Sequence, residues 1–296
     1  MKILYVTDLH GDERKYELAY QIAEYEKIDA VINGGDMLPY CGNMYESESN
    51  FLYNYLQDHF RKYAEAGIYY IAILGNDDLA VFDKFFEALC SQSEYICNIA
   101  QKKINVKGYD FIGFNLVCDY PFRLKDRCRM DDKDFEFPPQ FGSAIFTDKE
   151  PGSMTIEEWF EYAKKIPTIA QELRNLPKPA DYSKAVYVMH MPPAGSGMDI
   201  CADRRRVGSK AIKRFIEERQ PLLSLHGHIH ESPTVTGIWE NTLGRAHIIQ
   251  PGSYDRHLAY VIIEILETGV ISSRRFVQIL SGNSGDKNEI ADSIYF

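Results

Sequence analysis

Five times along this chain a short apolar run gives way to a loop that opens with residues able to hold a metal ion. The runs end in Asp8-Leu9-His10, Gly34-Gly35-Asp36, Gly75-Asn76-Asp77-Asp78, Met189-His190 and Gly227-His228-Ile229-His230. An Asp or Gly after one strand is ordinary turn chemistry and says little alone. Five such ends of the right donor type are a different matter. They offer seven oxygen and imidazole donors, Asp8, His10, Asp36, Asn76, His190, His228 and His230, which is what a pair of divalent cations needs. The two imidazoles of Gly227-His228-Ile229-His230 occupy alternate positions, so an extended segment sets them on one side.

The surrounding pattern predicts how those ends are carried. Residues 2 to 7 read as a buried strand, 12 to 27 as an amphipathic helix, 28 to 33 as a strand, 47 to 66 as a helix and 68 to 74 as a third strand. Strand, helix, strand in repetition implies a parallel sheet with helices packed on it. Hairpins are expected at 102–107/110–117, around Gly108-Tyr109, and at 258–266/270–278, around Thr268-Gly269. Single strands at 185–190, 222–226 and 246–250, with a helix near 208–219, then build a second, mixed sheet. Residues 119–182 break the rhythm. They hold more than half of the thirteen prolines and one helix opened by the capping box Thr155-x-x-Glu158. The expectation is one domain over 1–296, with 119–182 an insertion serving as a lid and a loose tail from about 281.

Composition narrows the partners. At 296 residues, 45% of them apolar, the chain can bury a sizeable core. A formal charge of -10 argues against a broad nucleic-acid or anionic-membrane surface. No apolar stretch reaches the 18 residues needed to span a bilayer. The six cysteines are widely spaced with no Cys-x-x-Cys pair, which fits a reducing compartment; a cytoplasmic location is the default expectation.

The order of the motifs resembles the calcineurin-like metallophosphoesterase family, whose pattern runs Asp-x-His, Gly-Asp, Gly-Asn-His-Asp/Glu, His, then Gly-His-x-His. The match extends from Asp8 to His230 and leaves the insertion and the tail outside. The resemblance implies an α/β fold, a four-layer α/β/β/α sandwich of two mixed sheets flanked by helices. It further implies that Asp8, His10 and His230 hold one metal, Asn76, His190 and His228 the other, and that Asp36 bridges both. Such a pair turns a bound water into hydroxide near neutral pH and shares the charge of the phosphate oxygens. Mixed imidazole, carboxylate and amide donors suit Mn, Fe, Zn or Ni better than Ca, without selecting among them.

The chain departs from that pattern at one position. Gly75-Asn76-Asp77-Asp78 puts Asp77 where the resemblance places the histidine that protonates the leaving group. An ionised Asp77 facing the pocket lowers the local positive charge, which penalises a dianionic monoester more than a monoanionic diester. The expected activity is therefore a dinuclear-metal phosphoester hydrolase, a phosphodiesterase on a small substrate, with Asp77 as its candidate catalytic residue. Arg204 and Arg205, in Arg204-Arg205-Arg206, are candidates to hold an anionic substrate group. The alternating Arg123, Lys125, Arg127 and Arg129, interleaved with and flanked by aspartates, read as a mixed-charge surface. Two alternatives remain open: a catalytically silent metal-binding interaction module, and a nuclease, which the net charge disfavours. Oligomeric state has no signal in the sequence.

Overall fold

Alternate residues of a strand face opposite ways, so the unbroken apolar runs of this chain need cover on both sides. The computed structural model, which describes residues 1–150, 152–266, 269 and 271–280, supplies it. In chain order the first sheet takes β1 (Lys2–Val6), β2 (Ala30–Asn33), β3 (Tyr69–Ala72) and β4 (Ile96–Asn98), all parallel. The second is built on β5 (Lys103–Val106) and β6 (Tyr109–Phe114). Two short pairs follow, β7 (Val117–Cys118) with β8 (Cys128–Arg129) and β9 (Ala144–Ile145) with β10 (Ser153–Met154). The second sheet resumes with β11 (Ala185–Met189), β12 (Leu223–Leu225), β13 (Glu240–Leu243) and β14 (Ala246–Ile249). The chain then returns to the first sheet as the hairpin β15 (His257–Ile265) and β16 (Ile271–Ile279), with β15 antiparallel to β1.

The resulting orders are β16-β15-β1-β2-β3-β4 and β13-β14-β12-β11-β6-β5, each with four parallel strands; the first carries the antiparallel hairpin β15–β16 beside β1 and ends in parallel β4, and the second has antiparallel strands at both edges. Between the sheets lie Ile3, Tyr5, Ile32, Ile71 and Ile73 from one side and Phe111, Val186, Val188, Leu223 and Leu225 from the other. The alternate residues Leu4, Val6, Val31 and Ala72 face helices α1 (Glu13–Tyr25), α3 (Gln57–Ala66) and α4 (Asp83–Cys90). Phe114, Ala185, Tyr187 and Met189 face α5 (Ile156–Ala163), α6 (Ile169–Asn175) and α7 (Lys210–Arg219). Burying each of these large apolar side chains is worth about 1.5–3 kcal/mol, enough to fix the register of both sheets. This is the four-layer mixed α/β architecture that the family resemblance implies.

Local details add to the expectation. The helix foreseen over 47–66 starts at Met44 and changes pitch, running as α2 (Met44–Phe51), a π-helical stretch (Leu52–Leu56) and α3. It stops at Gly67, whose φ of 67° only glycine adopts without strain. The Thr155–Glu158 capping box forms on α5, and a second, Thr168 with Gln171, opens α6. Residues 119–182 divide in two. Helices α5 and α6 bury Trp159, Ala163, Ile169 and Leu173 in the outer core of the second sheet, while the stretch around 117–131 lies against the metal-ligand loops. The expected mixed-charge surface needs correcting: Lys125 and Arg127 are 1% and 5% exposed, each held by a carboxylate, and only Arg123 of the four is open to solvent. All six cysteines are free thiols. No helix among the described residues is long and apolar enough to cross a membrane. The tail from about 281 and the turn residue Thr268 lie outside the described residues.

Candidate metal centre

All five ligand-bearing loops follow parallel strands, β1, β2, β3, β11 and β12, so they emerge at the same end of the two sheets. They are knitted to one another through backbone. Asp8 N–H donates to Gly35 O at 2.9 Å, His10 N–H to Asp36 O at 3.0 Å and Gly227 N–H to His190 O at 2.9 Å. The packing is close enough to require glycine. A Cβ on Gly75 would stand 2.2 Å from Asp36 Oδ1, and one on Gly227 2.2 Å from Thr7 Oγ1 and 2.8 Å from Asp8 Oδ2. Asp8, His10, Asp36 and His228 all adopt positive φ, between 47° and 69°. That backbone cost persists only where the surroundings over-determine it, and it falls here on the residues that carry the donors.

The side chains converge as two clusters that share one carboxylate. Donor atoms of Asp8, His10, Asp36 and His230 lie within 4.8 Å of one another, as do those of Asp36, His190 and His228. Asn76 joins the second cluster, its Oδ1 2.9 Å from His190 Nε2, which is also 3.3 Å from Asp36 Oδ2. His190 Nδ1 lies 2.8 Å from Gly34 O, an arrangement in which Nδ1–H donates and the Nε2 lone pair points inward. Likewise His10 Nε2 and His230 Nε2 stand 3.2 Å apart. Lone pairs brought together in this way repel unless a proton or a cation lies between them. Asp8 Oδ2 is buried with no hydrogen-bond partner, a further sign of a position built for a cation.

The electrostatics lead to the same conclusion. Burial alone would raise Asp8 and Asp36, yet both are held below the usual carboxylate range, Asp36 by His190 and Asp8 by His230. Burial opposes charge on His190 and His230, but Asp36 and Asp8 respectively pull them up to about 10 and about 9. His228, without such a carboxylate contact, is pushed down to about 3 by burial and by His190. The buried carboxylates Asp8 and Asp36 thus favour positive charge in the pocket. The donor set fits two divalent cations.

Asp77 and Asp78, adjacent in sequence, have separate tasks. Asp78 is buried and accepts N–H bonds from Met37, Leu38 and Gly75, so it braces two ligand loops. Asp77 donates its backbone N–H to Asp36 Oδ1 and accepts from Asn76 Nδ2, both at 2.9 Å, which turns its carboxylate toward the centre. Burial, then Asp36 and Asp78, raise the metal-free Asp77 carboxyl to about 8. Arg204 and Arg205 are placed differently. They sit in a tight turn tied to the residues after His230 through Ala202 N–H to Glu231 and Ile200 N–H to Ser232. Both are exposed, and Arg205 is engaged by Asp203 at 2.6 Å.

Other contributors gave weaker signals in the sequence. Ser253, in the Pro-Gly-Ser turn after β14, donates its hydroxyl to Asp8 O at 2.8 Å and its N–H to His230 O at 3.1 Å, fixing two ligand-bearing segments. His226 is buried with Nδ1 at 3.0 Å from both Met189 O and Met191 O, and burial keeps it neutral, down to about 4. Tyr120 packs edge-on to His228 at 6.0 Å.

Residues 1–232 match the family model described as calcineurin-like phosphoesterase, and the chain belongs to that family. The family is dinuclear-metal dependent, and the two clusters sharing Asp36 are groups that could hold such metals. Among solved structures, the protein TT1561 of Thermus thermophilus is 16% identical over 92% of this chain and 97% of its own, with a TM-score of 0.54. Looser matches are a novel archaeal phosphodiesterase (14% identical, 94% and 99% covered, TM-score 0.41) and a dimetal phosphatase from Danio rerio (10%, 95% and 99%, 0.47). At these identities the structural likeness speaks for fold alone. No curated protein sequence matches the chain.

Proposed function

We propose that this metallophosphoesterase prefers small phosphodiesters to phosphomonoesters and that Asp77 sets the preference. The observation that carries the reading is the hydrogen bond from Asn76 Nδ2 to Asp77 Oδ1, which keeps a carboxylate beside the donors in place of a neutral or cationic imidazole. In this reading Asp8, His10 and His230 hold one cation, Asn76, His190 and His228 the other, with Asp36 common to both. The cations, when bound, supply Lewis acidity toward the phosphate oxygens and lower the pKa of the attacking water.

The protein's own part is to position and to balance charge. Asn76 presents its amide oxygen because its NH2 is engaged by Asp77, and His190 is oriented by Gly34 O. Asp77, raised by burial and by Asp36 and Asp78, would ionise with two cations bound nearby. It then removes one of the two positive charges left over by Asp8 and Asp36, and a dianionic monoester loses more attraction than a monoanionic diester. At roughly 6 Å and an effective dielectric near 20, one charge changes the interaction by about 2–3 kcal/mol before solvent screening, so about a tenfold shift in selectivity is expected. Arg204 and Arg205 are exposed, with Arg205 engaged by Asp203, and the preference argued here does not depend on them. The test compares bis-p-nitrophenyl phosphate with p-nitrophenyl phosphate on protein reconstituted with Mn(II). Wild type should favour the diester, and Asp77→Asn should move the ratio about tenfold toward the monoester. A wild type that turns over the monoester equally well, or a ratio unmoved by the substitution, would refute the proposal.

A further inference from the structure

The loop that carries Asn76 and Asp77 has little regular structure of its own, so its backbone groups must be satisfied from elsewhere. The partners are largely side chains. Asn115 Nδ2 donates to Leu74 O at 2.8 Å, Asp78 closes onto Gly75 N–H at 2.6 Å, Glu48 accepts from Leu79 N–H at 3.0 Å and Asp126 from Ala80 N–H at 3.0 Å. At the centre of this set is Arg127. Its Nε–H donates to Gly75 O at 2.6 Å, the carbonyl directly before Asn76, while its two NH2 groups fork onto Asp83 at 2.6 and 3.2 Å. Arg127 is 5% exposed, and Asp83 overcomes the cost of that burial by holding the guanidinium firmly charged.

We infer that Arg127 is a positioning residue for the Asn76 cation site, acting through the Gly75 carbonyl; the inference rests on the dinuclear reading above. The geometry is specific to arginine. One planar guanidinium satisfies a carbonyl with Nε–H and a carboxylate with both NH2 groups, whereas an ammonium has no fixed fork. Because Arg127 belongs to the stretch that follows β7 and not to β3, Asn76 is held in place by a different part of the chain. The adjacent Asp126 also accepts Thr147 N–H at 2.9 Å, which ties the same stretch to the segment after β9. Asp8, His10 and His230 lie on the β1 and β12 loops, which Arg127 does not touch; only the shared Asp36 meets the loop that Arg127 holds, through Asp77 N–H, so its influence should fall mainly on the Asn76 side.

That asymmetry makes the inference testable by calorimetric titration of Mn(II) into metal-free protein. In a His10→Ala background, which retains Asn76, His190, His228 and Asp36, adding Arg127→Lys should weaken the remaining site by about ten- to a hundredfold, the usual effect of losing a ligand's supporting hydrogen bond. In an Asn76→Ala background, which retains the Asp8 side, adding Arg127→Lys should change affinity less than about twofold. Asp83→Asn, at a half-exposed carboxylate, should reproduce the pattern more weakly and decides the matter if Arg127→Lys does not fold. Equal weakening in both backgrounds, or in neither, overturns the inference, because a residue that only supports the fold does not distinguish the two sites. If wild type itself binds no Mn(II), the dinuclear reading fails instead, a result distinct from either.

Discussion

Glu48 on α2 is 0% exposed, with one oxygen accepting Leu79 N–H at 3.0 Å and the other unpartnered. Burial and the nearby Asp78 raise its pKa from an ordinary 4.5 to about 9. The folded metal-free protein therefore keeps Glu48 neutral at pH 7, while the unfolded chain ionises it. A raised carboxyl pKa leaves full stability below about pH 4.5 and removes it progressively as pH rises toward 9. At about 1.36 kcal/mol per unit, the loss by pH 7 is about 3 kcal/mol. Glu48→Gln retains an acceptor for Leu79 N–H and has no proton to lose. Its unpartnered NH2 replaces the unpartnered hydroxyl of the neutral acid, so those costs roughly cancel. The variant should match wild type at pH 4 and exceed it by about 3 kcal/mol at pH 7, read by urea unfolding in EDTA across pH 4–9. EDTA matters because cations at Asp36, which itself helps to raise Glu48, would pull the carboxyl down again. Parallel pH profiles for the two proteins, or a less stable variant at pH 7, would refute the reasoning.

Gly227→Ala drives a methyl to 2.2 Å from Thr7 Oγ1 and 2.8 Å from Asp8 Oδ2; it should cost about 1–3 kcal/mol in denaturant melts and lower Mn(II) affinity in titrations. Lys125 and Asp119 form a fully buried pair at 2.8 Å. Lys125→Met strands the carboxylate and should cost about 3–5 kcal/mol, while the double change with Asp119→Asn should recover most of it, as chemical unfolding of the three variants would show. Equal loss in the single and double variants would contradict the pairing argument.

The fold and the donor set were legible because both rest on local pattern. Strands covered on both faces, such as Ile3 to Val6 and Ala185 to Met189, read as unbroken apolar runs, and the residues directly after them are the ones that converge. What escaped was decided by tertiary packing. β4 (Ile96–Asn98) has three residues, too few for a period to register. The π-helical stretch at Leu52–Leu56 keeps the apolar spacing of an ordinary helix. Lys125 and Arg127 alternate with other charges as a solvated segment would, and only the positions of Asp119 and Asp83 explain their burial. Asp77 and Asp78 are identical in type and adjacent, so their division into a carboxylate at the centre and a brace for two loops depends on Met37, Leu38 and Asn76 in space.

The central claim, that two cations share Asp36, is tested most directly by counting metal. Protein stripped of metal, titrated with Mn(II) and assayed in parallel for bis-p-nitrophenyl phosphate hydrolysis, should take up two ions per chain and gain activity with the second. Asp36→Ala should bind fewer than two and remain inactive. A wild type that saturates at one ion, or an Asp36→Ala variant that still binds two and hydrolyses the diester, would contradict the account.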